Sequence, residues 1–196
     1  KNCYNFNGSV VIQSKILTNM TYTFYNCFNF NKPISVPNSD YNIIMNGTFL
    51  SCYNFNQKFK FPSSANNIRG IFQGCNNLNS PIYFNEINKS VNMYFAISYA
   101  TKFNMPIDLN LNTGGLIDCT EYMFRQDNLM SMPIHINHRC MNSKGYINMF
   151  CDSTINSDVI ITDVLSTDKH VGYNMIKGRS NSTMMNIYVE NVEMLK

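Results

Sequence analysis

His135, His138 and Cys140 are close enough in the chain to suggest a metal site. Such a site needs three or four convergent ligands. In an extended segment, however, residues 135 and 138 face opposite sides, so no metal or other cofactor is expected there. His170 stands alone and reads as a surface loop residue. Asp127 is the other group with possible chemistry, because it occupies a place where related stretches of this chain carry Cys. A carboxylate in a core position can have a perturbed acidity; the simpler expectation is that Asp127 marks a turn shifted toward solvent. No nucleophile elbow, phosphate loop, dinucleotide fingerprint or zinc-protease pattern is present. Ser-His-Asp combinations carry no weight in a chain with 3 His. The expectation is a protein that is not an enzyme.

Recognition is the better-supported chemistry, and it comes from a repeat. YTFYNCFNFNKPISVP at 22–37 is followed by GTFLSCYNFNQKFKFP at 47–62 and GIFQGCNNLNSPIYFN at 70–85. A fixed period of about 25 residues is the mark of a solenoid, in which each coil covers the apolar face of the next. One column runs Phe24, Phe49, Phe72, Ile97, Phe124 and Phe150. Another runs Cys3, Cys27, Cys52, Cys75, Ala100, Asp127 and Ser153, and a third runs Asn7, Asn31, Asn56, Asn79, Asn104, Ser131 and Asn156. After each comes an apolar-x-apolar stretch, from Val10/Ile12 and Ile34/Val36 to Val159/Ile161, with Ile187/Val189 as an eighth. The pattern loosens toward the C-terminus, and the Cys column fails after Cys75.

Alternation in Ile34-Ser35-Val36 predicts a strand with one buried face, bracketed by Pro33 and Pro37. Stacked copies predict a parallel sheet with strands about 4.8 Å apart. The middle residues then point outward: Val11, Ser35, Lys60, Tyr83, Asp108, His135, Ile160 and Tyr188. A varied row on a repeated scaffold is how repeat proteins present binding surfaces; it is also what unconstrained solvated positions look like. Ser35, Lys60, Tyr83, Asp108, His135 and Ile160 are the candidate partner-binding residues. Phe24, Cys27 and Phe30 fall at i, i+3 and i+6, which predicts a short 3₁₀ or α-helical turn. The Asn column follows, where the chain must bend into the strand and Asn can bond nearby backbone and stack along the solenoid. Apolar positions at Met20, Met45, Ile68, Met93, Thr120 and Tyr146 (the last two less apolar) predict a second short strand or extended edge. The expected fold is thus a β-rich repeat solenoid of seven to eight coils over 1–161, with 162–196 as an irregular C-terminal coil or cap.

Composition narrows the partners. Only 14% of the 196 residues are charged and 44% are hydrophobic. The net charge is +3 with no basic cluster, so nucleic acid is not an expected partner. No stretch is long and apolar enough for a membrane-spanning helix. The 7 Cys are expected as buried structural thiols rather than a disulfide framework. The bias toward Asn, Ile, Tyr, Phe and Lys, with no Trp, fits an AT-rich genome. Sequons at Asn7, Asn19, Asn46, Asn88 and Asn181 arise readily in so Asn-rich a chain. The chain starts at Lys1 within a cassette, which reads as a fragment of a longer polypeptide.

The order Ile-x-Val-Pro, a variable arm, then Phe-x-x-Cys-x-x-Phe/Leu resembles the BspA-like, or Treponema-type, leucine-rich repeats. NMTYTFYNCFNFN at 19–31 is also similar to surface-lipoprotein repeats of mycoplasmas. The resemblance implies a right-handed solenoid with a parallel sheet on one face. It implies adhesion, or binding of proteins and glycans, in bacterial or protist surface proteins or phage and prophage components, with no catalytic residues. The expected function is therefore a non-enzymatic structural or binding module. A phage or prophage virion component (tail, fibre or head decoration) comes first, and a bacterial or protist cell-surface adhesin second. A repeat domain appended to a cell-wall hydrolase outside this stretch is a further alternative. The expected location is a virion or cell surface, and the expected partners are assembly proteins or a host-surface protein or glycan. The solenoid ends are available for oligomer contacts.

Overall fold

The computed structural model describes residues 1–112, 116–127, 132–137, 148–155, 158–162 and 187–189. Among these residues the chain is β-rich, with parallel sheets and no helix. One sheet contains β1 (Ile43–Ile44), β3 (Ala65–Asn67), β5 (Ser90–Asn92) and β7 (Leu116–Cys119), in that order. β2 (Phe59–Lys60) pairs with β4 (Ile82–Tyr83). A third sheet has β6 (Ile107–Asp108), β8 (Ile134–Asn137), β9 (Val159–Thr162) and β10 (Ile187–Val189) side by side. Each pairing joins equivalent positions of successive cassettes, such as Ile107 with Ile134 and Ile134 with Val159. The arrangement is compatible with a β solenoid. β1, β3, β5 and β7 form a second edge ahead of each Phe, each ending one residue before the position that predicted it, at Met45, Ile68, Met93 and Thr120. Apart from Thr162 and β10, the stretch read as a cap lies outside the described residues.

The segment carrying Phe-x-x-Cys-x-x-Phe is not the expected helix. It does close i→i+3 bonds: Thr23 N–H donates to the Met20 carbonyl, Tyr25 to Tyr22, Cys27 to Phe24 and Phe30 to Cys27. Two residues in each copy, however, have left-handed backbone. Tyr22, Gly47, Gly70, Phe95, Tyr122 and Asn148 form one such column, and Asn26, Ser51, Gly74, Tyr99, Gln126 and Asp152 the other, with φ between 51° and 72°. A right-handed helix cannot continue through them. The result is a chain of separate tight turns. The N–H groups between the turn-closing ones reach the next copy: Met20, Tyr22, Phe24 and Asn26 donate to the carbonyls of Ile44, Asn46, Thr48 and Leu50. The next copy does the same, with Met45, Gly47, Phe49 and Ser51 donating to Asn67, Arg69, Ile71 and Gln73. Most backbone donors in this arm thus find a carbonyl, within their own copy or the next, as a buried backbone requires.

Stacking places like side chains on like. Phe24, Phe49 and Phe72 lie with ring centroids 5.4 Å apart and interplanar angles of 5° and 6°. Phe124 and Phe150 repeat the arrangement at 5.4 Å. In the neighbouring column Cys27, Cys52 and Cys75 are buried free thiols. Sγ of Cys52 donates to the Phe24 carbonyl at 2.9 Å, and Sγ of Cys75 to the Phe49 carbonyl at 3.1 Å. Ser153, which replaces Cys, donates to the Phe124 carbonyl in the same way. Cys3 departs from the expectation of a buried column: its side chain is exposed.

Asp127 corrects a further expectation. It is not turned to solvent but has no exposed surface at all. One carboxylate oxygen accepts the Ala100 N–H at 2.8 Å, and its own N–H donates to Ser153 Oγ at 3.3 Å. Oδ2 is buried without a hydrogen-bond partner. Burial pushes this carboxyl well above the usual carboxylate range, against a smaller opposing effect from the Ala100 N–H. Such a group favours the fold while protonated in both states. That contribution declines once pH passes the unfolded value of about 3.9, and is gone above the folded value. Asp127→Asn therefore raises stability at pH 7 by about 1–3 kcal/mol and removes this decline, as read by urea denaturation between pH 4 and 8.

The thiols give a second expected outcome. Burial pushes Cys52 up to about 12, with a smaller contribution from Cys27, and pushes Cys75 up as well. A thiol reagent at pH 8, where only the thiolate reacts, labels Cys3 in the native protein. It leaves Cys52 and Cys75 unlabelled until the chain is denatured, a difference that mass spectrometry of peptides reads directly.

Candidate functional site

Among the described residues, parts of the predicted row stand side by side. Lys60 stands beside Tyr83 in the β2–β4 pairing, and Asp108 beside His135 in the β6–β8 pairing. His135 stands beside Ile160, and Ile160 beside Tyr188, farther along the same sheet. The flanking residues Phe59, Ile82, Ile107, Ile134, Ile136 and Val159 are buried. Period-two alternation therefore forces the intervening residues outward. Val11, Ser35, Lys60, Tyr83, Asp108 and His135 are exposed, and Ile160 is half-buried. Ile34 and Val36 are buried like their counterparts, although Ser35 lies on extended chain outside the paired strands.

The row is not flat. Val11, Pro33, Ser35, Lys58, Lys60 and Tyr83 line a mainly apolar hollow of about 590 Å³. Tyr83 is shared with a second hollow of about 380 Å³ that includes Met105, Pro106 and Asp108. Tyr83 therefore links the Ser35–Lys60 part of the row to Asp108. Lys60 Nζ lies 3.1 Å from Glu86 Oε1, an exposed ion pair of the kind worth about 0–1 kcal/mol. Asp108 Oδ1 accepts the Asn110 N–H at 2.9 Å, which fixes the chain leaving β6.

The hydroxyl, ammonium, phenol, carboxylate and imidazole come from successive copies, and no hydrogen bond joins a nucleophile to a base among them. Among the described residues no group of three His, Cys, Asp or Glu could hold a metal ion. His138, Cys140 and His170 lie outside the described residues.

Two further surfaces run along the stack. On one side, Oδ1 of Asn7, Asn31, Asn56 and Asn79 accepts the backbone N–H of Asn31, Asn56, Asn79 and Asn104, at 2.8–2.9 Å. Beside it, the amides of Asn5, Asn29, Asn54 and Asn77 bond one another in series, and Lys102 Nζ closes the line at 2.7 Å. The first line is the bend and the stacking between copies expected of the Asn column; the second line, Asn5 to Asn77, was not read from the sequence. On the turn arm, Tyr22, Asn46, Gly47, Leu50, Arg69, Gly70, Gln73 and Phe95 surround a hollow of about 440 Å³. Its sequence signal was available: Gly47 and Gly70 interrupt a column otherwise held by Tyr22, Phe95 and Tyr122.

A family model described as "Mycoplasma protein of unknown function, DUF285" matches residues 1–110 and again residues 62–162. No curated protein and no solved structure matches this chain. Row and core separate cleanly by stability. Ser35→Ala, Tyr83→Ala and His135→Ala each change unfolding free energy by less than about 0.5 kcal/mol. Phe72→Ala costs about 3–5 kcal/mol, and chemical denaturation of the four variants measures the contrast.

Proposed function

Because this chain belongs to the DUF285 family of mycoplasma-type proteins and carries outward residues in register over a repeated apolar core, we propose that it is a non-enzymatic binding module. In this reading it is a right-handed solenoid of seven to eight coils, similar to the BspA-like leucine-rich repeats. The row Ser35, Lys60, Tyr83, Asp108, His135 and Ile160 meets another protein of an assembly, or a host-surface protein or glycan. The observation that carries this reading is the register: Lys60 beside Tyr83, and Asp108 beside His135 beside Ile160. The apolar hollow under Val11 and Tyr83 supports contact with a partner's apolar side chain, since concave apolar sites with a few polar groups are the usual form of binding sites.

The setting proposed first is a virion component, where many copies present the same row. A cell-surface adhesin is the second reading, and the match to a family described from mycoplasmas favours it. Localisation separates the two. Stoichiometric copies in purified particles support the virion reading, and labelling of intact cells with an antibody to this chain supports the adhesin. For binding itself, the purified protein is screened against assembly proteins and an immobilised glycan panel. The expected result is a ligand whose affinity falls at least about tenfold with Tyr83→Ala plus Lys60→Ala, as for a hot-spot pair, while melting is unchanged. A ligand that binds the parent and the double variant equally would sink the assignment of the row.

A further inference from the structure

The hollow on the turn arm lies away from the row and has its own chemistry. Its column is Tyr22, Gly47, Gly70, Phe95, Tyr122 and Asn148, one residue per copy, all with left-handed backbone. If backbone conformation alone chose these residues, glycine would be expected throughout. Tyr22, Phe95 and Tyr122 adopt φ of 55–56° regardless. The aromatic members stack where neighbours allow it: Phe95 and Tyr122 lie 5.0 Å apart at 14°. The Tyr22 ring lies over Gly47, close enough that a Cβ there would sit 2.4 Å from its Cε1. Among the described residues nothing comparable covers Gly70. A Cβ on Gly70 would meet only the Gln73 side chain within 4 Å, at 3.1 Å from Oε1. The column therefore reads ring, gap, ring, ring, with the gap above Gly70.

The rim of the gap is positively charged. Arg69 is exposed, its guanidinium lies 4.5 Å from the Tyr94 ring centroid, and among the described residues it forms no salt bridge. Stacking on Tyr94 holds the planar group in place without neutralising it. Arg125, two copies along, differs: it has Asp152 3.6 Å away. Asn46 and Gln73 add amides to the lining. The cavity, about 440 Å³, lies within the roughly 300–1,000 Å³ of small-ligand sites.

We infer that this gap is a second binding site, and that it accepts an aromatic side chain of a partner protein carrying a carboxylate on an adjacent residue. The ring completes the stack between Tyr22 and Phe95, and the carboxylate pairs with Arg69. An acidic aromatic peptide fits both features; a ring without charge leaves Arg69 unpaired, and a charge without a ring leaves the gap open.

The test uses the whole chain and the peptide acetyl-Glu-Tyr-Glu-amide, titrated by NMR or calorimetry. Acetyl-Glu-Leu-Glu-amide, acetyl-Lys-Tyr-Lys-amide and glucuronate are the controls. The expected result is saturable binding of the acidic tyrosine peptide, at least about tenfold tighter than any control. Gly70→Tyr places a ring in the gap at a φ that Tyr22 and Phe95 already hold, and is expected to abolish binding with the circular dichroism spectrum unchanged. Arg69→Gln is expected to remove the preference for acidic over basic peptide while leaving residual ring binding, and Phe95→Leu to weaken all tyrosine peptides alike. These two variants keep the test decisive should Gly70→Tyr fold poorly. Equal binding to Gly70→Tyr and the parent overturns the inference, as does retained acid preference in Arg69→Gln. Tighter binding of glucuronate, or no binding of the acidic tyrosine peptide at millimolar concentration, overturns it as well.

Discussion

Alternation of backbone donors along the turn arm is the constraint on which the remaining features rest. One N–H closes a turn within its own copy, and the next reaches the following copy. Two left-handed residues per copy make this possible, because they re-aim successive peptide groups without letting a helix form. A non-glycine residue in that region costs on the order of 1 kcal/mol or more. The stack offsets it with hydrogen bonds and ring burial. The aromatic columns follow from the same constraint. Copies held in register by four backbone bonds put Phe24, Phe49 and Phe72 directly over one another.

Within that frame each column tolerates substitution according to what its side chain bonds. Cys and Ser are interchangeable at positions 52, 75 and 153 because each sends a proton to the carbonyl of a Phe one copy back. Ala100 contributes only its size. Asp127 occupies the same space as an acceptor, taking the Ala100 N–H, with a second oxygen left over. In a repeat stack each copy touches only its neighbours, so the penalty falls on the copies around Ala100, Asp127 and Ser153.

Much of this was legible in the chain. Ile34-Ser35-Val36 and its counterparts state which side chains point outward, since a strand with a buried face has no other option. The Asn column announced a bend. Two things were hidden. Phe-x-x-Cys-x-x-Phe has the same spacing whether the turns continue as a helix or alternate with left-handed residues. Tyr22, Phe95 and Tyr122 do not advertise a positive φ as Gly47 and Gly70 do. Asp127 was half legible: its place in the Cys column allowed a core carboxyl, but a charged residue type usually signals exposure, and only the surrounding packing shows it enclosed. Of the outward row, position could be read from the sequence, but the hollows beneath Val11 and Tyr83 depend on the depth of neighbouring side chains, which periodicity does not encode.

From Met20 to Asn26 the inter-copy backbone bonds of the turn arm run one way, whereas Asn29, Asn54 and Asn77 at its end donate back to the carbonyls of Tyr4, Phe28 and Tyr53. Met20, Tyr22, Phe24 and Asn26 give protons forward, the carbonyls of the following copy receive them, and that copy gives forward in turn. Each edge of the arm therefore carries a run of forward donors followed by a carbonyl that accepts from the next copy, in a fixed order along the chain. Only a copy presented in the same direction and register meets every group in that order, so the arm acts as a directional template as well as a support.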